Sequence, residues 1–167
     1  MRDSTRGARF GDGPTLFIMV GLPGSGKTTL AKRLEREHKA VRLTKDDWLM
    51  ALFGRADLDH ERIVVEDLLW SQGARMLELG VNVVLDYGLW AREERDDYRA
   101  KAEAVGANVE FHFLDIPEPE LFHRMKARNL RAAPTDVPIT AEQLETYLPL
   151  FQRPDDEEIA GWIVWGA

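Results

Sequence analysis

The run Gly21-Leu22-Pro23-Gly24-Ser25-Gly26-Lys27-Thr28 fits the pattern G-x-x-x-x-G-K-[ST]. Its chemistry is the cradling of phosphate. Glycine reaches backbone conformations closed to other residues. A loop with glycines at 21, 24 and 26 can therefore turn its N–H groups inward around phosphate oxygens. A helix starting at Lys27 adds the partial positive charge of its N-terminus. Lys27 would reach the β- and γ-phosphates, and the Thr28 hydroxyl would sit on Mg2+. Residues 21–28 are assigned to the nucleotide, with Thr29 behind them, although Thr29 alone also reads as a helix-surface residue. A guanine-reading Asn-Lys-x-Asp is absent from the sequence, which turns the reading from small GTPases towards a small kinase.

Carboxylates come next. Thr44-Lys45-Asp46-Asp47-Trp48 follows a short apolar stretch. Ligands of parallel sheets sit outside the carboxyl ends of the strands. Transfer of a phosphoryl group to an alcohol needs a carboxylate that accepts the hydroxyl proton. Asp46 or Asp47 suits that task, and either also suits a helix cap. Asp86 ends the apolar run Val81-Asn-Val-Val-Leu-Asp. That pattern would hold Mg2+ directly or through water, or hydrogen-bond an acceptor hydroxyl, or simply close a strand. Tyr87, Trp90 and Arg92 follow and would wall an acceptor pocket, although such aromatic residues are as often packing as binding.

Between Leu121 and Arg131 stand Arg124, Lys126, Arg128 and Arg131, with no acidic residue and with His123 as a further donor. Arg124 and Arg128 are four apart and share one helix face. Beside a phosphate loop this segment reads as a lid whose guanidiniums stabilise charge on a transferring group. By itself it also reads as a basic helix C-terminus.

These groups need a scaffold. Strands are predicted at 15–20, 40–43, 81–85, 109–114 and 162–165. Helices are predicted at 27–38, from Asp46 to Gly54, and at 61–79, 91–105, 117–129 and 140–151. The 61–79 helix carries Val64, Leu68, Gln72, Met76 and Leu79 along one face. Strands alternating with helices predict one α/β domain over 15–167 with a mainly parallel sheet. Residues 1–14 read as a flexible lead-in, and 130–139 as a loop.

Composition narrows the classes. The chain has 167 residues, 44% hydrophobic and 31% charged, which is globular and of one-domain size. No apolar run approaches a membrane span, no secretory signal is visible, and the expected compartment is the cytoplasm. Cysteine is absent, which excludes disulfides, thiolate zinc and a cysteine nucleophile. The net charge of −7 argues against a broad nucleic-acid footprint.

The motifs resemble those of the small P-loop kinases that include polynucleotide 5′-kinases, chloramphenicol phosphotransferase and zeta-toxin kinases. The likeness rests on Gly-Leu-Pro-Gly-Ser-Gly-Lys-Thr-Thr, Lys-Asp-Asp-Trp, Val-Val-Leu-Asp, and Leu-Asp-Ile-Pro-Glu-Pro-Glu-Leu followed by Arg124 and Arg128. It covers about residues 15–150. It implies an adenylate-kinase-like, three-layer P-loop NTPase fold, with five parallel strands in the order 2-3-1-4-5 and a short lid. It also implies Asp46 as general base, Asp47 as cap or support, and Arg128 on the transferring phosphates. Polynucleotide kinases carry an arginine three residues after the base; here that residue is Leu49. The expected function is therefore ATP- and Mg2+-dependent phosphorylation of a small hydroxyl-bearing acceptor. A polynucleotide 5′-hydroxyl kinase is the alternative. So is a nucleotide sensor that shows its acidic segment 155–158 to a protein partner.

Overall fold

The computed structural model describes residues 13–131 and 138–166. The expected flexible lead-in lies outside them up to residue 12, as does residues 132–137 of the expected 130–139 loop. Gly13 and Pro14 are already tied down. The Asn108 amide donates to the Pro14 carbonyl at 2.8 Å, and its side chain donates to the Gly13 carbonyl at 3.1 Å.

Strand β1 (Thr15–Val20) is buried along its whole length. Side chains alternate across a strand, and β1 is apolar to both sides. Leu16, Ile18 and Val20 enter one core, and Phe17 and Met19 the other. Such a strand belongs at the centre of a covered parallel sheet. β1 pairs with β3 (Val83–Gly88) and β4 (Asn108–Asp115). β2 (Val41–Leu43) and β5 (Ile163–Gly166) lie at the edges, giving the order β2-β3-β1-β4-β5, all parallel. This is the expected order.

Helix α1 (Lys27–Glu37) covers the Phe17 face through Leu30, Ala31 and Leu34. Helices α3 (Asp59–Glu78) and α4 (Arg92–Ala104) cover the other through Val65, Leu69, Leu77, Tyr98 and Ala102. Between them in the chain runs no long loop, and α2 (Lys45–Phe53) precedes α3 directly. Helices α5 (Glu118–Arg131) and α6 (Ala141–Tyr147) form a third small core with Leu22 of the phosphate loop. The predicted 140–151 helix splits, because Pro149 lies in a separate 3-10 turn, Leu148–Leu150.

Two further predictions shift. The buried face of α3 is Val65, Leu69, Gly73 and Leu77, while Val64, Leu68 and Leu79 are exposed. Gly73 is the point of closest approach, since a Cβ there would lie 3.0 Å from Leu43 Cδ1. A glycine inside the stripe hides it from a hydrophobic periodicity. β3 also starts two residues later than predicted and continues through Gly88. Val81 instead donates to the Met76 carbonyl, and the Asn82 side chain ties Thr15 to His38. Asp86 therefore lies within the strand rather than at its end.

Candidate active site

β1 delivers Gly21 to the carboxyl edge of the sheet, where its N–H donates to the Gly88 carbonyl at 3.0 Å. Two glycines permit the approach of neighbouring elements. Gly24 has φ +83°, and a Cβ on it would come within 2.9 Å of Met125 Sδ, so α5 packs directly on the loop. Gly88 has φ +95°, and a Cβ there would lie 3.1 Å from Lys27 Cε. Gly88 was not among the residues the sequence singled out; a glycine after Asp-Tyr carries no motif.

Leu22 is buried against α5 and α6, Pro23 is half-buried beside it, and the Ser25 hydroxyl is buried with no hydrogen-bond partner among the described residues. Lys27 is half-buried overall, with its ammonium enclosed and donating to the Leu22 carbonyl at 2.7 Å. Burial lowers its pKa from 10.5 to about 8, against the opposing pull of Asp86 and Asp46. Thr28 and Thr29 are exposed on the first turn of α1.

Asp86 lies on the sheet face towards α1 with its side chain 2% exposed. Burial raises its pKa, while a hydrogen bond from Thr28 and the charges of Lys27 and Arg42 oppose that rise. Arg42 was missed by the sequence reading. It reaches Asp86 at 3.1 Å and Asp47 at 3.2 Å, and also bonds the Thr44 hydroxyl. A lone arginine in a three-residue strand gives no local signal, since its partners lie 5 and 44 residues away.

Thr44 occupies the N-cap position of α2, so Asp46 and Asp47 fall in the first turn and neither is the cap. This corrects the cap reading of Asp47, whose carboxylate pairs with Arg42 instead. Asp46 is exposed and within electrostatic reach of Lys27. Leu49 is fully buried in the core with Val65 and Leu69. Packing alone accounts for an apolar residue there.

On α5, Arg124 donates to the Ser25 carbonyl at 3.4 Å and pairs with Glu120 at 2.6 Å. Arg128 is exposed one turn further along and contributes its charge at Lys27. Of the expected acceptor residues, Tyr87 is buried beside Tyr98, and Trp90 packs on Tyr147 with ring centroids 5.1 Å apart. Arg92 is turned outward, to Asp155 at 3.1 Å and Asp96 at 3.8 Å. The structure thus gathers Lys27, Thr28, Asp46, Asp86, Arg124 and Arg128 around one loop and leaves Arg92 outside that group.

A parallel sheet of order 2-3-1-4-5 whose central strand runs into this loop defines a P-loop NTPase fold. The chain belongs to the AAA_33 family, an AAA domain matched over residues 16–154. No curated protein matches it at a significant level. Similar solved structures include one from the Pnkp1/Rnl/Hen1 RNA repair complex, at 23% identity and TM-score 0.70, covering 86% of this chain. This chain spans 46% of that one. Chaetomium thermophilum Kti12 in complex with ADP-AlF3 is similar at 16% identity and TM-score 0.69, covering 90% of this chain and 88% of its own. A gluconokinase from Sinorhizobium meliloti is similar at 20% identity and TM-score 0.58, covering 93% and 82%. At these identities the likeness is one of fold. No helix among the described residues is long and apolar enough to cross a membrane.

Proposed function

We propose that the chain is an ATP-dependent kinase that phosphorylates a hydroxyl of a small acceptor. The observation that carries this reading is the exposed Asp46 carboxylate within electrostatic reach of Lys27, at the mouth of the loop. A carboxylate placed beside a γ-phosphate site has the position of a proton acceptor. The loop fits a phosphate chain: the Ser25 hydroxyl has no hydrogen-bond partner among the described residues, and the Lys27 ammonium donates to the Leu22 carbonyl of the loop itself.

Thr28 and Asp86 offer hard oxygen donors in contact with each other, the set that Mg2+ takes together with substrate phosphates. Bound there, Mg2+ would neutralise phosphate charge. The protein's own residues do the rest. Lys27, Arg124 and Arg128 meet the charge on the transferred group. Asp46 accepts the acceptor's hydroxyl proton. Arg42 engages Asp86 and Asp47, and Asp46 has no ion pair among the described residues.

Part of the acidic 155–158 segment is engaged within the fold, while Asp156 and Glu157 stay exposed. Glu158 is buried against Arg95 at 2.6 Å, and Asp155 pairs with Arg92. Asp46→Asn is the test. It should lower kcat by about 10²–10⁴-fold while ATP affinity stays near that of the unaltered protein. Transfer that survives the change removes Asp46 as the base.

A further inference from the structure

Next to Asp46, on the α3–α4 side of the sheet, lies a polar group that the phosphate chemistry does not use. Lys45 pairs with Glu66 at 2.5 Å, and both are mostly buried, with side chains 15% and 25% exposed. The Lys45 ammonium stands over the Tyr87 ring, 5.2 Å from its centroid. Tyr87 itself is 8% exposed, and its hydroxyl is buried with no hydrogen-bond partner among the described residues. A buried hydroxyl left unpaired is unfavourable and calls for a ligand or a role. Burial pushes the Tyr87 phenol up from its ordinary pKa, so the hydroxyl stays protonated, able both to donate and to accept. The edge of Tyr98 packs on this ring at 6.0 Å, and Trp70 packs on Tyr98 at 5.4 Å, which gives the group an apolar wall. Lys45 acts electrostatically on Lys27, so the group lies close enough to share the field of the reaction centre.

Charge pairing on both faces of the sheet next to Asp46 bears on what can bind. Arg42 is matched by Asp86 and Asp47, and Lys45 by Glu66. Neither cation is left over for an anionic acceptor. A hydroxyl both donates and accepts, so a polyol suits a carboxylate, an ammonium and a phenol alike.

We propose that Lys45, Glu66 and Tyr87 form the acceptor subsite beside Asp46, and that it takes an uncharged polyol. This rests on the kinase reading above and names its substrate class. In the step, the polyol oxygen forms a bond to the γ-phosphorus. Its proton passes to the Asp46 carboxylate. The bond from that phosphorus to the β,γ-bridging oxygen breaks, and ADP leaves with the electron pair.

The experiment is transfer of label from γ-labelled ATP by the full chain into three acceptor sets. These are uncharged polyols (glycerol, myo-inositol, D-glucose), sugar phosphates, and oligonucleotides with 5′-hydroxyls. Label is expected in the first set. Glu66→Gln should raise the polyol KM by about tenfold or more, with ATP affinity little changed. Tyr87→Phe should raise that KM by several-fold while the melting temperature of the free protein stays equal or rises, because an unpaired hydroxyl has gone. A purely structural role would lower the melting temperature and leave the polyol KM alone. Label confined to sugar phosphates or oligonucleotides overturns the polyol class. Polyol labelling indifferent to both variants overturns the subsite. No label in any set, with ATP still bound, overturns the polyol class; if label also fails to enter any component of a metabolite extract, the kinase reading itself falls.

Discussion

Lys27 is placed where its charge serves phosphate and strains the empty fold. Its ordinary pKa of 10.5 falls to about 8 in the folded chain. Below about 8 both folded and unfolded states hold the proton, and the penalty for burying the charge is complete. Between about 8 and 10.5 the folded state gives up its proton first, so stability rises with pH across that window. The shift corresponds to an upper bound on the order of 3 kcal/mol. Lys27→Met should therefore raise the melting temperature of the nucleotide-free protein at pH 7 and flatten its rise towards pH 10.5. ATP binding should be lost. Melts across pH, with nucleotide titrations beside them, check this; a variant that melts lower at neutral pH contradicts it. The lysine was legible because its glycine neighbours form a pattern read within eight positions. The shift was not, since it comes first from burial in the folded chain, with Arg128 adding to it and Asp86 and Asp46 opposing it.

At the scale of elements, Arg95 does for the β3–α4 connection what no local spacing announces. It is 1% exposed, on α4. Its Nε and Nη2 donate to both Glu158 oxygens at 2.6 and 3.0 Å. Its remaining N–H groups reach the carbonyls of Leu89, Trp90 and Gln152 at 3.3, 2.9 and 3.0 Å. A guanidinium has five donors, and each is satisfied. The connection after β3, where Leu89 holds φ +27°, is thereby fastened to the segment leading to β5. Arg95→Ala should destabilise the fold by about 3–5 kcal/mol, because Glu158 is left buried and unpaired. Arg95→Met with Glu158→Leu should recover much of that loss. Urea denaturation measures both; a loss below about 1 kcal/mol for the single variant would show an exposed, weak pair. The helices and strands themselves were legible, since their periodicities are local. The Arg95–Glu158 pair spans 63 residues, so the acidic segment read as a free surface. The α3 face was misread for a related reason, since Gly73 interrupts the stripe with a contact only Leu43 explains.

For the whole molecule, the issue is how an acidic chain handles anions. The net charge is −7, yet Lys27, Arg124 and Arg128 converge on the phosphate loop. The alternation of strands and helices made the layered fold legible, and the strand order followed from the family resemblance. The acceptor was not legible, because Leu49, read as a missing phosphate contact, is a core residue. Charge distribution carries that argument better, and salt tests it. ATP is a polyanion, so its KM should rise with ionic strength as the cations around the loop are screened. An uncharged acceptor releases no counterions, so its KM should stay flat. A single-stranded acceptor gripped at only two phosphates would instead weaken about sevenfold between roughly 50 and 200 mM salt, following a slope near −0.7 per contact. Steady-state kinetics over that range, varying each substrate at saturation of the other, separate the two. A steep salt dependence of the acceptor KM would assign the acceptor side of this site to a polyanion, and the matched pairs Arg42–Asp86 and Lys45–Glu66 would then have to open to admit it.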